Sequence, residues 1–561
     1  MGMVGTDNGA GVVIQTGLDR RSTKEEHSEH HSFSSTTQRS QSSPGVQEEC
    51  ECDDKHSNAS HVAVEDEPGA CLCSRHHDNP DAVEQTYGPQ PVDPETGEQL
   101  FRLPVDEKHR ALKLQPWRFD KPHMRSFFFA WFGFFTAFFG WFAVSPLMTT
   151  IRQSKELGLW DTETNMPNTK AIGNSNVIAV SGTVLMRLII GPSCDRFGPR
   201  IPFVSILTVF SLPVYLIGTA FNYASFCTAR FFIGFLGASF VIAQFWTTQT
   251  FAPVIVGVAN GTVAGWGNLG GGVTNALMPQ FFNLMKAFGL DDNSAWRVVM
   301  VIPGTMCVTV GLCLYLFSQD LPDGQYKDMH ASGKLQRTDA LKSMKLASLN
   351  LRSWILFALY AGCFGVELTM NANLSSYFQD VFGMEQSTAG LIAALFGLMN
   401  LFARSLGGVS SDFMSTRFGM RGRLIVFFFS ELAAGLFLIG FSRARVLGAA
   451  VPLLVLFSTC VQMAEGATFG VVPYVDRTCT GAIAGIVGAG GNVGAMTFGL
   501  LFSYGPREMP DAFLILGCIV SGIAFLVAPL AYGPLRIGDA PLPSPVSSIH
   551  FESSVEESQP S

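Results

Sequence analysis

The sequence predicts an all-α membrane protein of about twelve transmembrane helices, arranged as two pseudo-symmetric six-helix halves. Three observations carry this. The chain of 561 residues is 47% hydrophobic and only 15% charged, with 47 Phe, which is unusual for a soluble protein of this length. Its apolar residues gather into runs of roughly 20, the length that crosses about 30 Å of hydrocarbon. The second half also repeats motifs of the first at a nearly constant offset.

The chain opens with a polar tail, residues 1–115, expected to be disordered and cytosolic. It has no apolar run of the kind that makes a cleavable signal. Its start, "MGMVGT", fits the myristoylation pattern, Gly2 with Thr6. Four of the 12 cysteines lie here, Cys50, Cys52, Cys71 and Cys73, near His56, His61, His76 and His77. A single residue between paired cysteines suits zinc poorly, so they read as reduced thiols rather than a metal site.

The apolar runs lie near 126–150, 172–193, 201–222, 225–248, 256–284 and 297–318, then 351–378, 387–411, 423–441, 447–473, 481–503 and 511–533. Each must be helical, because lipid offers the backbone no other hydrogen-bond partner. The first six form one half, 116–318. A polar linker, 319–350, joins it to the second, 351–535, and a short tail follows, 536–561. The first run is packed with aromatics from Phe127 to Phe142, most of them expected to face lipid.

Basic residues fix the expected orientation. They cluster before the first run (Arg118, Lys121, Arg125), after the second (Arg196, Arg200), after the sixth (Lys327, Lys334, Arg337, Lys342, Lys345) and after the eighth (Arg417, Arg421, Arg423). These are alternate sides of a twelve-span count, so both termini should be cytoplasmic. Arg443 and Arg445 are exceptions.

"RLIIGPSCDRFG" at 187–198 is echoed by "RSLGGVSSDFMSTRFG" at 404–419. Arg187 precedes Gly191 by four and Asp195 by eight; Arg404 precedes Gly408 and Asp412 by the same steps, 217 residues later. "AGWGNLGGG" is likewise echoed by "GAGGNVGAM", which sets Asn268 on Asn492. The second and fifth spans therefore correspond to the eighth and eleventh. Parallel repeats of this kind place a substrate site near the midplane between the halves.

An arginine at a helix centre costs about 2.5–3.5 kcal/mol on insertion scales. Snorkelling would relieve that cost, but Arg187 is two helical turns from Asp195 and too deep. A buried ion pair would also relieve it, yet no carboxylate lies within a turn of Arg187 or Arg404 on its own helix. Both are therefore expected to line a water-filled cavity and bind an anion together. The guanidinium is a planar fork of donors, so two of them suit a small flat oxyanion. Asn268 and Asn492 can donate to its oxygens. The glycines around them, Gly265 and Gly490 included, let backbones approach closely and narrow the cavity.

These residues also carry a family resemblance. "GPSCDRFGPR" resembles the loop motif of the major facilitator superfamily, and "RFFIGFLG" (Arg230 onward) resembles its fourth-span motif. "AGWGNLGGGVTNALMP" and "GAIAGIVGAGGNVGAMTFG" resemble the two signatures of its nitrate/nitrite porter family, and "PVDEKHRAL", "FGVELTMNANLSSYF" and "AEGATFGVVPYV" its eukaryotic high-affinity branch. The resemblance covers about 103–535, and the short central loop is closer to plant and algal members. It implies the major facilitator fold, multi-pass insertion in the plasma membrane, and import of nitrate, with nitrite a further substrate. It implies nitrate contacts at Arg187, Arg404 and Asn268. It implies a cytosolic latch in which Asp195 works with Arg196 and Arg200, and Asp412 with Arg417 and Arg421. A small single-span accessory protein is an implied partner.

Bringing an anion into a negative interior costs about 2.3 kcal/mol per 100 mV, and one cotransported proton only cancels the charge. Symport of more than one proton is therefore expected. Glu367 and Glu465 are the candidate carriers, with Arg230 tuning an acid near it, while Glu431 on the ninth span reads as structural. No nucleophile–base set, cofactor loop or nucleic-acid-binding patch is apparent, which disfavours an enzyme. The alternatives are a nitrite or formate porter of the same fold, or a nitrate-sensing receptor that signals through its tail.

Overall fold

A computed structural model of the chain describes residues 90–93, 97–161, 166–332, 339–384, 386–506 and 508–538. The readings placed on Gly2 and on the tail cysteines and histidines lie outside these residues.

Twelve long helices are present among them. In the first half they are α1 (His123–Phe142), α2 (Thr169–Phe197), α3 (Arg200–Thr219), α4 (Tyr223–Thr250), α5 (Val256–Ala287) and α6 (Asp292–Phe317). In the second half α7 runs over 351–382, α8 over 386–418 and α9 over 420–443, followed by α10 (Leu447–Val471), α11 (Thr480–Tyr504) and α12 (Met509–Ala531). All but α5 are also apolar enough to cross a membrane, α8 and α9 as one continuous segment. The glycine and asparagine content of α5 explains its lower hydropathy. Gly419, at φ 56° and ψ −142°, separates α8 from α9, a backbone shape that glycine adopts without a side-chain clash.

Local chemistry sets where helices begin. Asn168 accepts from the Ala171 N–H, Asn222 and Ser225 form a reciprocal cap, and Asp291 accepts from Asn293 and Ser294. Two departures from α geometry lie beside the site described below: α4 tightens into a 3₁₀ turn at Gly234–Ala238, and α7 widens into a π turn at Ala361–Gly365. Outward faces carry exposed apolar side chains such as Leu185, Ile189, Leu312 and Leu316, as lipid contact requires.

Two expectations need correction. The aromatics of α1 mostly face inward: Phe127, Phe134, Phe138 and Phe139 are all buried, because α1 packs against α5 and α4 instead of standing at the rim. Buried residues also occur before residue 115, within the expected tail. Leu103, Val105, Ala111 and Leu112 are buried. The Ala111 N–H donates to the Thr250 carbonyl and its carbonyl accepts from Ala252, so this strap pairs with the α4–α5 connection. It is also tied to the linker by a His109–Asp323 contact.

The halves meet along two crossings, α2 with α11 and α5 with α8. Glycine permits both. A β-carbon on Gly191 would overlap the Gly481 carbonyl, and one on Gly408 would overlap that of Gly257. These contacts are related by the internal repeat.

Candidate anion site between the halves

Arg187 emerges from the middle of α2 and is fully buried. Its Nε and Nη2 donate to the Gly237 carbonyl at 3.2 and 3.0 Å, on the 3₁₀ turn of α4. Its Nη1 donates to the Gly488 carbonyl of α11. With the Asn492 amide oriented so that its oxygen faces the guanidinium, that oxygen accepts from Nη1 at 3.0 Å and Nε at 3.2 Å. Among the described residues Arg187 forms no ion pair.

Arg404, on α8, is 1% exposed and differently held. Its Nη2 donates to Glu367 Oε2 at 2.9 Å and also meets the Glu465 carboxyl. Glu367 Oε1 accepts from Asn268 at 2.8 Å and from Asn400 at 2.6 Å. Arg404 Nε and Nη1 have no hydrogen-bond partner among the described residues. The expectation of two uncompensated arginines is therefore half corrected. Arg404 has carboxylates from α7 and α10, helices that sequence proximity could not link to it.

The two guanidiniums share an aromatic neighbour. Arg187 lies 5.4 Å and Arg404 5.7 Å from the centre of the Phe364 ring. Arg187 is also 5.2 Å from Phe240, which stacks nearly parallel to Phe364 and Tyr360. Phe469 packs edge-on against Phe240 and Tyr360. The Tyr360 hydroxyl is buried without a hydrogen-bond partner. Two cations, two carboxylates, three asparagines and a set of parallel rings thus lie together in the buried interior. Flat rings beside forked donors are chemistry that suits a flat anion.

Sequence reasoning missed Phe240, Tyr360, Phe364 and Asn400. Tyr360 and Phe364, four apart on the same helix as Glu367, were the available signal. Gly265 and Gly490 are positioned for helix packing: a β-carbon would overlap the carbonyl of Asn400 at the first and of Phe357 at the second. Among the described residues Arg230 forms no ion pair with an acid. It donates to Ser175 Oγ at 3.0 Å and sits 5.8 Å from the Phe226 ring, so the expected tuning of a carboxylate is not seen among the described residues.

The expected latch residues also take different partners. Asp195, on α2, accepts from the N–H groups of Gly481 (2.8 Å) and Ala482 (3.0 Å) at the start of α11, and from Ser343 Oγ in the linker. Asp412, on α8, accepts from Gly257 (3.1 Å) and Val258 (2.6 Å) at the start of α5, and pairs with Arg423 at 2.5 Å. Each aspartate therefore caps a helix of the opposite half, where free N–H groups and the helix dipole favour a negative charge. Arg423 and Tyr474 both donate to the Pro253 carbonyl, in the connection that the N-terminal strap supports.

The basic residues expected at the latch sit elsewhere. Arg196, Arg417 and Arg421 lie against the rings of Phe197, Phe413 and Tyr532. Arg200 donates its backbone N–H to Asp320 at 2.9 Å and rests on Tyr315. Burial pushes the Asp320 carboxyl above its ordinary range, opposed by the N–H groups of Arg200 and Tyr326.

Comparison with known proteins shows the family. Residues 130–499 match the model of the Major Facilitator Superfamily. The chain is 40% identical to "High affinity nitrate transporter 2.5" of Arabidopsis thaliana over 439 residues, covering 78% of this chain and 86% of the relative. It is 35% identical to "Nitrate transporter 2.2" of Chlamydomonas reinhardtii over 442 residues, covering 77% and 84%. Among solved structures, the proton:xylose symporter XylE overlays with a TM-score of 0.53 at 12% identity, covering 74% of this chain and 97% of that one, a likeness of fold alone. The chain therefore belongs to the major facilitator superfamily and, within it, to the nitrate/nitrite porter family, in the branch of the plant and algal high-affinity nitrate transporters.

Proposed function

We propose that the protein imports nitrate, and nitrite with it, across the plasma membrane by proton symport, with its linker side and both termini facing the cytosol. The observation that carries this reading is the pair of buried guanidiniums sharing the Phe364 ring, at repeat-related positions, in a chain 40% identical to a high-affinity nitrate transporter.

Charge balance supplies the coupling. Arg187 and Arg404 against Glu367 and Glu465 sum to zero when all four are ionised. A nitrate entering this closed site brings an uncompensated negative charge, which is costly in a low-dielectric interior. It also competes with the carboxylates for the Arg404 fork. A carboxylate displaced from Arg404 takes up a proton, and the site is neutral again. Nitrate and proton thus favour each other's binding, and the loaded site is the one that crosses.

Alternating access follows from the two aspartate latches. Each ties a helix start of one half to a helix of the other on the linker side, so that side is closed here. Their release lets the halves rock apart and opens the site to the cytosol. A small single-span protein is a partner in this reading, through the family resemblance.

Labelled nitrate uptake into liposomes holding the purified chain tests the proposal. An inward proton gradient is expected to raise uptake, and nitrite to compete. No uptake under a gradient would overturn it and favour a sensing role.

A further inference from the structure

The segment that leads into α1 carries features that nitrate binding and the two latches do not use. Residues 113–125 hold four basic side chains, Lys113, Arg118, Lys121 and Arg125, against one acid, Asp120. That acid is shared: Arg102 lies 2.9 Å and Arg118 2.5 Å from it. Lys121 is exposed. Two aromatics stand out among these charges, Trp117 at 79% exposed and Phe119 at 59%. The Phe119 ring centre is 5.3 Å from that of Phe128 and 6.3 Å from that of Phe129, so Phe119 lies beside the first two turns of α1, where a span begins. Exposed rings and net positive charge are the two signals that attach a segment to an anionic bilayer surface, and tryptophan favours the headgroup level.

Both ends of this segment are fixed. At one end the His123 ring, in the first turn of α1, meets the His109 carbonyl at 2.7 Å. At the other, the Ala111 N–H donates to the Thr250 carbonyl at 3.0 Å and the Ala111 carbonyl accepts from Ala252 at 2.9 Å. One residue further along the α4–α5 connection, the Pro253 carbonyl accepts from Arg423 at 2.9 Å and from the Tyr474 hydroxyl at 2.8 Å. Arg423 is the partner of Asp412, whose carboxyl caps α5. The strap therefore reaches the second latch through two adjacent residues of one connection. The first latch, at Asp195, is met by Ser343 of the linker instead.

We propose that Arg118, Lys121 and Arg125, with Trp117 and Phe119, form a binding site for anionic phospholipid headgroups of the cytosolic leaflet, and that a bound headgroup braces the Asp412 latch through the strap. The inference rests on the orientation proposed above, with the linker side in the cytosol. The rings enter the interface, and the cations donate to phosphate oxygens. Holding residues 113–121 against the bilayer holds Ala111 against the α4–α5 connection, which keeps the Pro253 carbonyl in place for Arg423. Without the headgroup the strap is released, the connection moves more readily, and α5 parts more easily from α8. The composition of the leaflet thereby sets how readily the site opens to the cytosol.

Two measurements on the purified full chain test this. In detergent, short-chain phosphatidylserine is expected to raise the unfolding midpoint, while phosphatidylcholine of the same chain length and inorganic phosphate leave it unchanged. Each basic residue near an anionic surface strengthens attachment about fivefold, so Arg118→Gln combined with Lys121→Gln should require roughly tenfold more phosphatidylserine or higher for the same rise. Arg118→Lys with Lys121→Arg should keep the wild-type response. Arg417→Gln with Arg421→Gln, which removes the same charge elsewhere on the linker side, should keep it too. In liposomes, phosphatidylserine should lower the reactivity of a cysteine introduced on the linker side several-fold relative to phosphatidylcholine alone, and the Arg118 and Lys121 glutamine pair should abolish that difference. An equal rise with phosphatidylcholine or with phosphate overturns the site, as does an equal loss in the Arg417 and Arg421 pair. Cysteine reactivity that ignores phosphatidylserine overturns the link to the latch. An N-terminal tag reached by antibody from outside intact cells overturns the orientation instead. If the glutamine pair does not fold, salt decides with the wild type: the phosphatidylserine effect should vanish at high ionic strength, and an effect that survives overturns the site.

Discussion

Glu367 accepts a hydrogen bond from Arg404 at 2.9 Å, and both side chains are 1% exposed. Among the described residues, the hydrogen-bond acceptors of the repeat-related Arg187 are carbonyl oxygens and an amide, with no carboxylate. The two arginines are equivalent in sequence and unequal in charge environment. One is a compensated cation, available once a carboxylate moves away. The other is a net positive charge held in place by backbone dipoles.

The arginines should act as one site. Lysine keeps the charge and loses the planar fork. Hydrogen bonds to charged groups are worth about 1.5–3 kcal/mol, so Arg187→Lys and Arg404→Lys should each weaken nitrate binding by roughly 10- to 100-fold. Calorimetry on purified, folded variants checks this. Truncating both should cost less than the sum of the single losses. Near-normal affinity in either lysine variant would count against the planar-fork account.

The carboxylates should differ in what they contribute. Glu367 accepts from three side chains, while Glu465 contacts Arg404 alone among the described residues. Glu367→Ala should destabilise the fold by about 3–5 kcal/mol, the cost typical of breaking a buried pair from one side. Glu465→Gln should fold and lose nitrate-driven alkalinisation of the outside medium. Thermal unfolding and a pH electrode read the two effects. Intact alkalinisation in the Gln variants of both residues would remove them as carriers.

The latches should be graded. Asp195→Asn and Asp412→Asn each remove a charge from the start of a helix in the opposite half, so both should raise reactivity of cysteines introduced on the linker side. The Asp412 variant should have the larger effect, because it also strands Arg423, which is buried. Ser343→Ala should have a smaller effect than either. Labelling rates at the wild-type level in both Asn variants would exclude the latch.

Phe364 serves both cations. Cation–π contacts reach about 2 kcal/mol when desolvated. Phe364→Ala should therefore weaken nitrate binding by about tenfold or more, and Phe364→Tyr by much less. Equal binding by the Ala variant would show that the ring only fills space.

How far the sequence reaches can be read from particular residues. Span length and composition locate α1 through α12, with the ends of α1 and α8 off by about two turns, because a bilayer demands a helix of fixed minimum length wherever apolar residues run on. The repeat puts Arg187 opposite Arg404 and Asp195 opposite Asp412, since symmetry-related motifs occupy symmetry-related depths. The partners of these residues were a different matter. Glu367 precedes Arg404 by 37 residues and Glu465 follows it by 61. Asp412 caps a helix of the other half, Arg423 takes the place expected for Arg417 and Arg421, and Glu431 proves to be interior. In water, a polar face and an apolar face tell a helix which way to turn. A membrane helix is apolar nearly all round, so its own sequence sets its span but leaves its rotation open. Only packing against its neighbours, through glycine contacts such as Gly191 with Gly481 and Gly408 with Gly257, decides which side chains meet.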